Sequence, residues 1–152
     1  MKEGSAVNNN QYVVFKLSDN EYGISILGVN TIERMMPITR VPKTQRFIKG
    51  VVNLRGEIVP VMSLRGCLGI EEAEETDETR IVIVKVGEMQ AGIIVDMVDE
   101  VIQLSEDSTE SISNLTNDIS KDFILGVGKA EDRIITLLST EKLLNAASVG
   151  II

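Results

Sequence analysis

Asp96, Asp99 and Glu100 are close carboxylates of the kind a general acid/base pair requires. They stand among valines without a histidine or lysine beside them, and no phosphate-loop glycine pattern accompanies them. Histidine is absent from the whole sequence and Cys67 is the only cysteine. There can be no internal disulfide, no zinc site of Cys/His type and no imidazole to activate the thiol. The residues point away from catalysis, and no cofactor is expected.

A second group could carry recognition instead. Asn53-Leu54-Arg55-Gly56-Glu57 reads as a turn that sets an apolar side chain beside a guanidinium. On a rigid β scaffold such a tip is a candidate contact. The plainer alternative is that Leu54 folds back onto the core and Gly56 supplies a positive φ. Pro60 cannot donate to a ladder and is expected to mark an edge strand beside the turn. Arg34, Arg40, Lys43, Arg46, Lys49, Arg55 and Arg65 surround it, with only Glu33 and Glu57 as acids between 33 and 65. This is either scattered surface charge or a basic face for an acidic protein surface.

The elements that must hold these residues are strands. Short Val- and Ile-rich runs, broken by turn residues, fall at 12–17, 51–53, 57–62, 80–86, 91–95 and 133–138. Long helical periodicity is missing; one short terminal helix is expected, with Ser139 or Thr140 as N-cap and Leu143 and Leu144 buried. Trp is absent, so aliphatic side chains must fill the core.

The chain also repeats itself. At an offset of 69 residues Gly23 falls on Gly92, and Val13, Lys16, Ile24, Val29 and Ile32 fall on Val82, Lys85, Ile93, Val98 and Val101. At an offset of 76, the block 46–51 falls on 122–127, with Gly50 on Gly126 and Ile58 on Ile134. Two ungapped blocks in the same order indicate duplication. The expected units are a first barrel over 11–70, an acidic linker over 71–79 and a second barrel over 80–147. Each unit is small for an independent core, so the two should lean on each other.

Charge is uneven: residues 1–70 carry net +4 and 71–152 net −12, within a total of −8. No apolar run approaches the roughly 18 residues of a membrane span, and residues 1–10 lack the apolar core of a signal peptide. A cytoplasmic protein without direct membrane insertion is expected, in which the sequon at Asn114 is coincidence.

In order along the chain stand Phe15-Lys16-Leu17, the V-x-x-I of 29–32, the G-V-x-N-L-R-G-x-I-V-P-V segment of 50–61, the G-x-x-V-D-x-V-x-x-V-like segment of 92–101, and Gly126-Val127. These residues resemble the CheW family, the coupling proteins of bacterial chemotaxis, over about residues 11–146. The resemblance implies a mainly β protein: two SH3-like five-stranded β-barrels related by internal duplication, with a short C-terminal helix. It also implies a non-catalytic adaptor, recruited to membrane receptor arrays, that joins the cytoplasmic tips of methyl-accepting chemoreceptors to the regulatory domain of the CheA histidine kinase. By resemblance, kinase-binding positions match Val13, Ile26 and Val29, and receptor-binding positions match Gly50, Arg55, Val98 and Val101, to which the turn adds Leu54. Thr31 stands where the family often has an acid able to pair with the turn arginine, so Glu33 or Glu57 would have to substitute. Ser63 replaces a frequent Asp.

Two rivals remain. The basic segment 34–65 could serve a nucleic-acid-binding barrel, but Phe47 is its only aromatic and the net charge opposes phosphates. An adaptor in a non-chemotaxis receptor and kinase pathway would carry the same residues.

Overall fold

The computed structural model describes residues 10–111 and 123–151; Asn114 and Asp122 lie outside them. Extended backbone dominates, as the β-branched runs require. In chain order the elements are β1 (Gln11–Leu17), β2 (Asn20–Ser25), a 3-10 turn (Ile26–Gly28), β3 (Val29–Arg34), β4 (Ile48–Leu54), β5 (Glu57–Ser63), α1 (Leu64–Cys67), β6 (Arg80–Val86) and β7 (Met89–Val95). There follow β8 (Met97–Gln103), a second 3-10 turn (Glu106–Ser108), β9 (Thr109–Ser111), β10 (Ile124–Ala130), β11 (Arg133–Leu138) and α2 (Thr140–Ile151).

The strands form two sheets, ordered β8-β1-β2-β11-β10-β9 and β3-β6-β7-β5-β4. Five positions of the first order correspond one for one to the second under the two sequence offsets. Gly23 sits opposite Val14 and Leu137, and Gly92 sits opposite Ile83 and Val61. The register irregularity between Ile48 and Gly50 recurs between Ile124 and Gly126. The duplication thus holds down to the cross-strand partner, and the fold is two SH3-like β-units. The second carries an additional strand, β9.

The sheets do not, however, follow the chain in halves. The chain crosses from the six-stranded to the five-stranded sheet at the turn Ile26–Gly28, and back again at Asp96, 69 positions after Leu27 at the centre of that turn. Each sheet therefore combines the first two strands of one repeat with later strands of the other. The limits 11–70 and 80–147 mark sequence repeats rather than sheets, and the exposed acidic segment 71–78 joins α1 to β6 within one sheet. The exchange also makes two strand pairs parallel, β2 with β11 and β5 with β7.

The core reflects this exchange. β1 and β6 are buried on both faces, so successive residues serve different cores. Val14 packs with Leu104, Ile135 and Leu137 in the six-stranded unit, while Ile81 and Ile83 pack with Val52, Leu54, Val59 and Val61 in the five-stranded one. A third and largest cluster lies between the units: Phe15, Leu17 and Ile24 from one meet Met62, Val82, Val84 and Ile93 from the other, closed by Leu143 and Leu144 of α2. The two units lean on each other through this shared cluster. Ser139 caps α2 by accepting a hydrogen bond from the Lys142 N–H at 3.1 Å, as the terminal sequence indicated.

Pro60 lies in an interior strand rather than at an edge, since β5 runs between β7 and β4. The contradiction is only local: the β7 ladder begins at Val61, so at Pro60 the strand pairs with Val51 of β4 alone.

Candidate protein-docking site

The turn between β4 and β5 is built by backbone conformation. Arg55 at φ 54° and Gly56 at φ 89° give both central residues the left-handed conformation of a tight hairpin turn, and the Asn53 carboxamide accepts the Gly56 N–H at 2.9 Å. The alternation of β4, which buries Ile48, Gly50 and Val52, also points Leu54 inward, into the five-stranded unit's core. Of the two readings of Leu54, the exposed tip is corrected and the one in which it folds back onto the core, with Gly56 at positive φ, is what the structure has. Arg55 points outward, its side chain 69% exposed, and donates to Glu33 of β3 at 3.2 Å. Glu33 thus does what an acid at position 31 would do. Thr31 has a buried hydroxyl without a hydrogen-bond partner, and Glu57 accepts instead from Gln90.

The exposed apolar residue of this region is Ile58, one position past the turn, and its counterpart under the repeat, Ile134, is equally exposed. Neither was singled out from sequence. The signal was present: each is an apolar residue at an outward position of the alternation that buries Val59 and Ile135.

Other expected contact positions are scattered. Val13 is buried between Ile24 and Val101 as a strand residue, so its side chain is closed to a partner. Gly50 is buried at a bulge with φ 146°, where an added Cβ would come 2.1 Å from the Thr39 carbonyl oxygen; its role is to admit that backbone approach. Ile26 is half-buried in the first 3-10 turn, and Val29 and Val98 are half-buried against the shared core. Val101 is exposed on the edge strand β8. The structure thus brings Val13 and Val101 together as cross-strand partners but sets Arg55 in the other sheet. Leu27, between Ile26 and Val29, is 62% exposed and is the open apolar residue of that segment.

The carboxylates that could have suggested catalysis are occupied by arginines. Arg65 binds Asp96 through two nitrogens, and its hydrogen bond holds the Asp96 carboxyl below the usual range. Arg133 binds Asp99, Glu100 and Glu21, and the hydrogen bonds it donates to Glu21 and Glu100 raise the guanidinium's own pKa. Burial pushes the Cys67 thiol up to about 12, leaving it protonated and inert at neutral pH. Ser63 accepts from the Gly66 N–H to cap α1 and donates to Glu72, so it retains the helix-capping chemistry that an Asp there could supply.

The arrangement is a rigid, duplicated β scaffold with neutralised carboxylates and open side chains at its turns and edges, suited to holding proteins. Known proteins agree. The family model described as "CheW-like domain" matches residues 11–148. Chemotaxis protein CheW of Bacillus subtilis is 36% identical over 136 residues, covering 90% of this chain and 87% of that one. Protein FrzA of Myxococcus xanthus is 30% identical over 141 residues, covering 90% and 86%. The crystal structure of the scaffolding protein TtCheW from Thermoanaerobacter tengcongensis superposes with a TM-score of 0.80 at 36% identity, over 86% of this chain and 89% of that one. Matched by the family model and by these relatives over most of its length, the chain belongs to the CheW family.

Proposed function

We propose that this protein is a non-catalytic scaffold of chemotaxis signal transduction that couples methyl-accepting chemoreceptors to the CheA histidine kinase. The observation that carries this reading is the family match over residues 11–148. The finer assignment divides the surface. The receptor's cytoplasmic tip contacts Arg55 of the five-stranded unit and Val98 and Val101 of the six-stranded one. The kinase regulatory domain docks on the segment from Ile26 to Val29, where Leu27 offers the exposed apolar surface and Val29 packs beneath it. Val13, Gly50 and Leu54 act from beneath, as packing that fixes the positions of these contacts. The protein works in the cytoplasm and joins membrane arrays through its receptor contacts.

The test is reconstitution of receptor, kinase and adaptor. The Arg55→Ala protein should stay folded, because an exposed ion pair contributes about 0–1 kcal/mol, and should lose receptor-dependent control of the kinase. Wild-type control by the variant would remove Arg55 from the site. The match to FrzA favours one second reading, an adaptor of another receptor and kinase pathway. Failure of the wild-type protein to bind both a CheA regulatory domain and a chemoreceptor fragment in pull-downs would favour it.

A further inference from the structure

Charge in the five-stranded unit is segregated along the chain. From Arg34 to Lys49 stand five cations and no acid; from Glu71 to Glu78 stand six acids and no cation. The fold sets these opposite runs along one groove of about 340 Å³, lined on the cationic side by Arg40 and Lys49, beside Arg65 already paired with Asp96, and on the acidic side by Glu72, Glu74 and Glu75. A wider cleft, sharing Arg40, Lys49 and Glu72, continues from it to Arg46.

The acidic segment is fastened at its two ends, the far one by Arg80 donating to the Asp77 carbonyl at 2.9 Å, the near one through Glu71 and Glu72. Glu72 accepts from the Ser63 hydroxyl at 2.9 Å and pairs with Lys49 at 3.6 Å, and Arg65 donates to the Glu71 carbonyl at 2.7 Å. Between the two ends, Glu74 and Glu75 are exposed, as are Arg40 and Arg46 across the groove. Lys49–Glu72 is the one ion pair that joins the two runs among the described residues. Cations are thus gathered along one wall while a run of carboxylates, anchored at both ends, lies beside them, joined to the cationic run by a single solvent-exposed ion pair.

We propose that this cationic wall is a docking surface for an acidic segment of a partner protein, and that residues 71–78 are the chain's own tethered competitor for it. The inference stands apart from the receptor and kinase assignment. Chemistry supports an acidic peptide: the wall offers guanidinium and ammonium donors, and the residues already lying against it are carboxylates. A tethered occupant competes at high effective concentration, so it lowers the apparent affinity of any incoming acidic segment by the fraction of time that it covers the cations.

The probe is a fluorescein-labelled hexaglutamate peptide, followed by fluorescence anisotropy with the full chain at about 50 mM salt, where screening is weak. The variant Glu72→Gln/Glu74→Gln/Glu75→Gln should bind it roughly tenfold more tightly than wild type. A charge-matched control, Glu88→Gln/Asp107→Asn/Asp132→Asn, should leave the affinity near that of wild type. Adding Arg40→Ser and Arg46→Ser to the first variant should abolish the gain. Equal tightening by both triple variants would reduce the effect to net charge and overturn the proposal, as would binding that survives loss of the two arginines. Circular dichroism of each variant confirms that the fold compared is the same.

Discussion

Arg65 grips Asp96 with two hydrogen bonds, Nε to Oδ1 at 3.0 Å and Nη2 to Oδ2 at 2.5 Å. Arg65 belongs to α1, which follows a strand of the five-stranded sheet, whereas Asp96 is the residue at which the chain crosses to the six-stranded one. Asp96 also accepts the Ser18 N–H at 2.8 Å, from the β1–β2 turn, and Arg65 donates to the Ser18 hydroxyl. One ion pair therefore ties a crossing point to both units.

Asp96→Asn should lower stability at neutral pH by about 1–2 kcal/mol, a value reduced by the partial exposure of the carboxylate. Its folded pKa is lowered by Arg65, so the pair's contribution is complete above the unfolded value of about 3.9 and is lost as pH falls through the lower folded value. Urea melts at about pH 7 and about pH 2.5 should show the gap between wild type and variant narrowing in acid. A gap of the same size at both values would mean that packing, not charge, is lost.

Gly50 and Gly56 both have positive φ, yet they should respond differently to alanine. At Gly50 the new Cβ meets a backbone oxygen, which a rotamer change cannot relieve; at Gly56 nothing lies within 4 Å. Gly50→Ala should cost about 3 kcal/mol or more, and Gly56→Ala about 1 kcal/mol, the conformational term alone. Equal costs in urea unfolding would show that the approach of Thr39 is not a constraint.

Much of this was legible because the β period and the repeat offset constrain each other. Pairing Val13 with Val82 and Val29 with Val98 in sequence already implied matching ladders, and the structure supplies them as Val13 opposite Val101 and Val82 opposite Ile32. Which sheet each strand joins was not legible. The offset relates strands to their copies, and both sequential and exchanged pairing satisfy it equally. At Leu54 the residues of the turn admit both an exposed tip and a side chain folded onto the core; the alternation that buries Ile48, Gly50 and Val52 of β4 continues to Leu54 and decides for the core. Arg55 was placed correctly because a guanidinium at a hairpin tip has solvent as its default surroundings.

Leu27 and Val29 separate docking from packing. Val29 pairs with Val84 and lies against the shared core, so Val29→Asp should destabilise by about 2–4 kcal/mol. Leu27→Asp, at an exposed position, should change stability by less than about 0.5 kcal/mol and still weaken capture of the kinase regulatory domain. Undiminished kinase capture by a folded Leu27→Asp protein would move the kinase contact away from this segment.

The strand exchange makes its own prediction for a chain cut after Glu75, within the exposed acidic segment. Fragment 1–75 would carry β1 to β5 and fragment 76–152 would carry β6 to β11 with α2. In the first, β1 loses β8, β2 loses β11, β3 loses β6 and β5 loses β7, so neither sheet survives intact. The shared cluster is divided as well, with Phe15, Leu17 and Met62 on one fragment and Val82, Ile93 and Leu143 on the other. Neither fragment alone should show a cooperative thermal transition by circular dichroism, since each retains ladders whose hydrophobic partners are missing. An equimolar mixture should restore the β spectrum and melt cooperatively, at a midpoint that rises with concentration because association and folding are then one step. Two units folded sequentially would behave differently: fragment 76–152 alone would melt cooperatively as a monomer, and that result would overturn the exchanged topology.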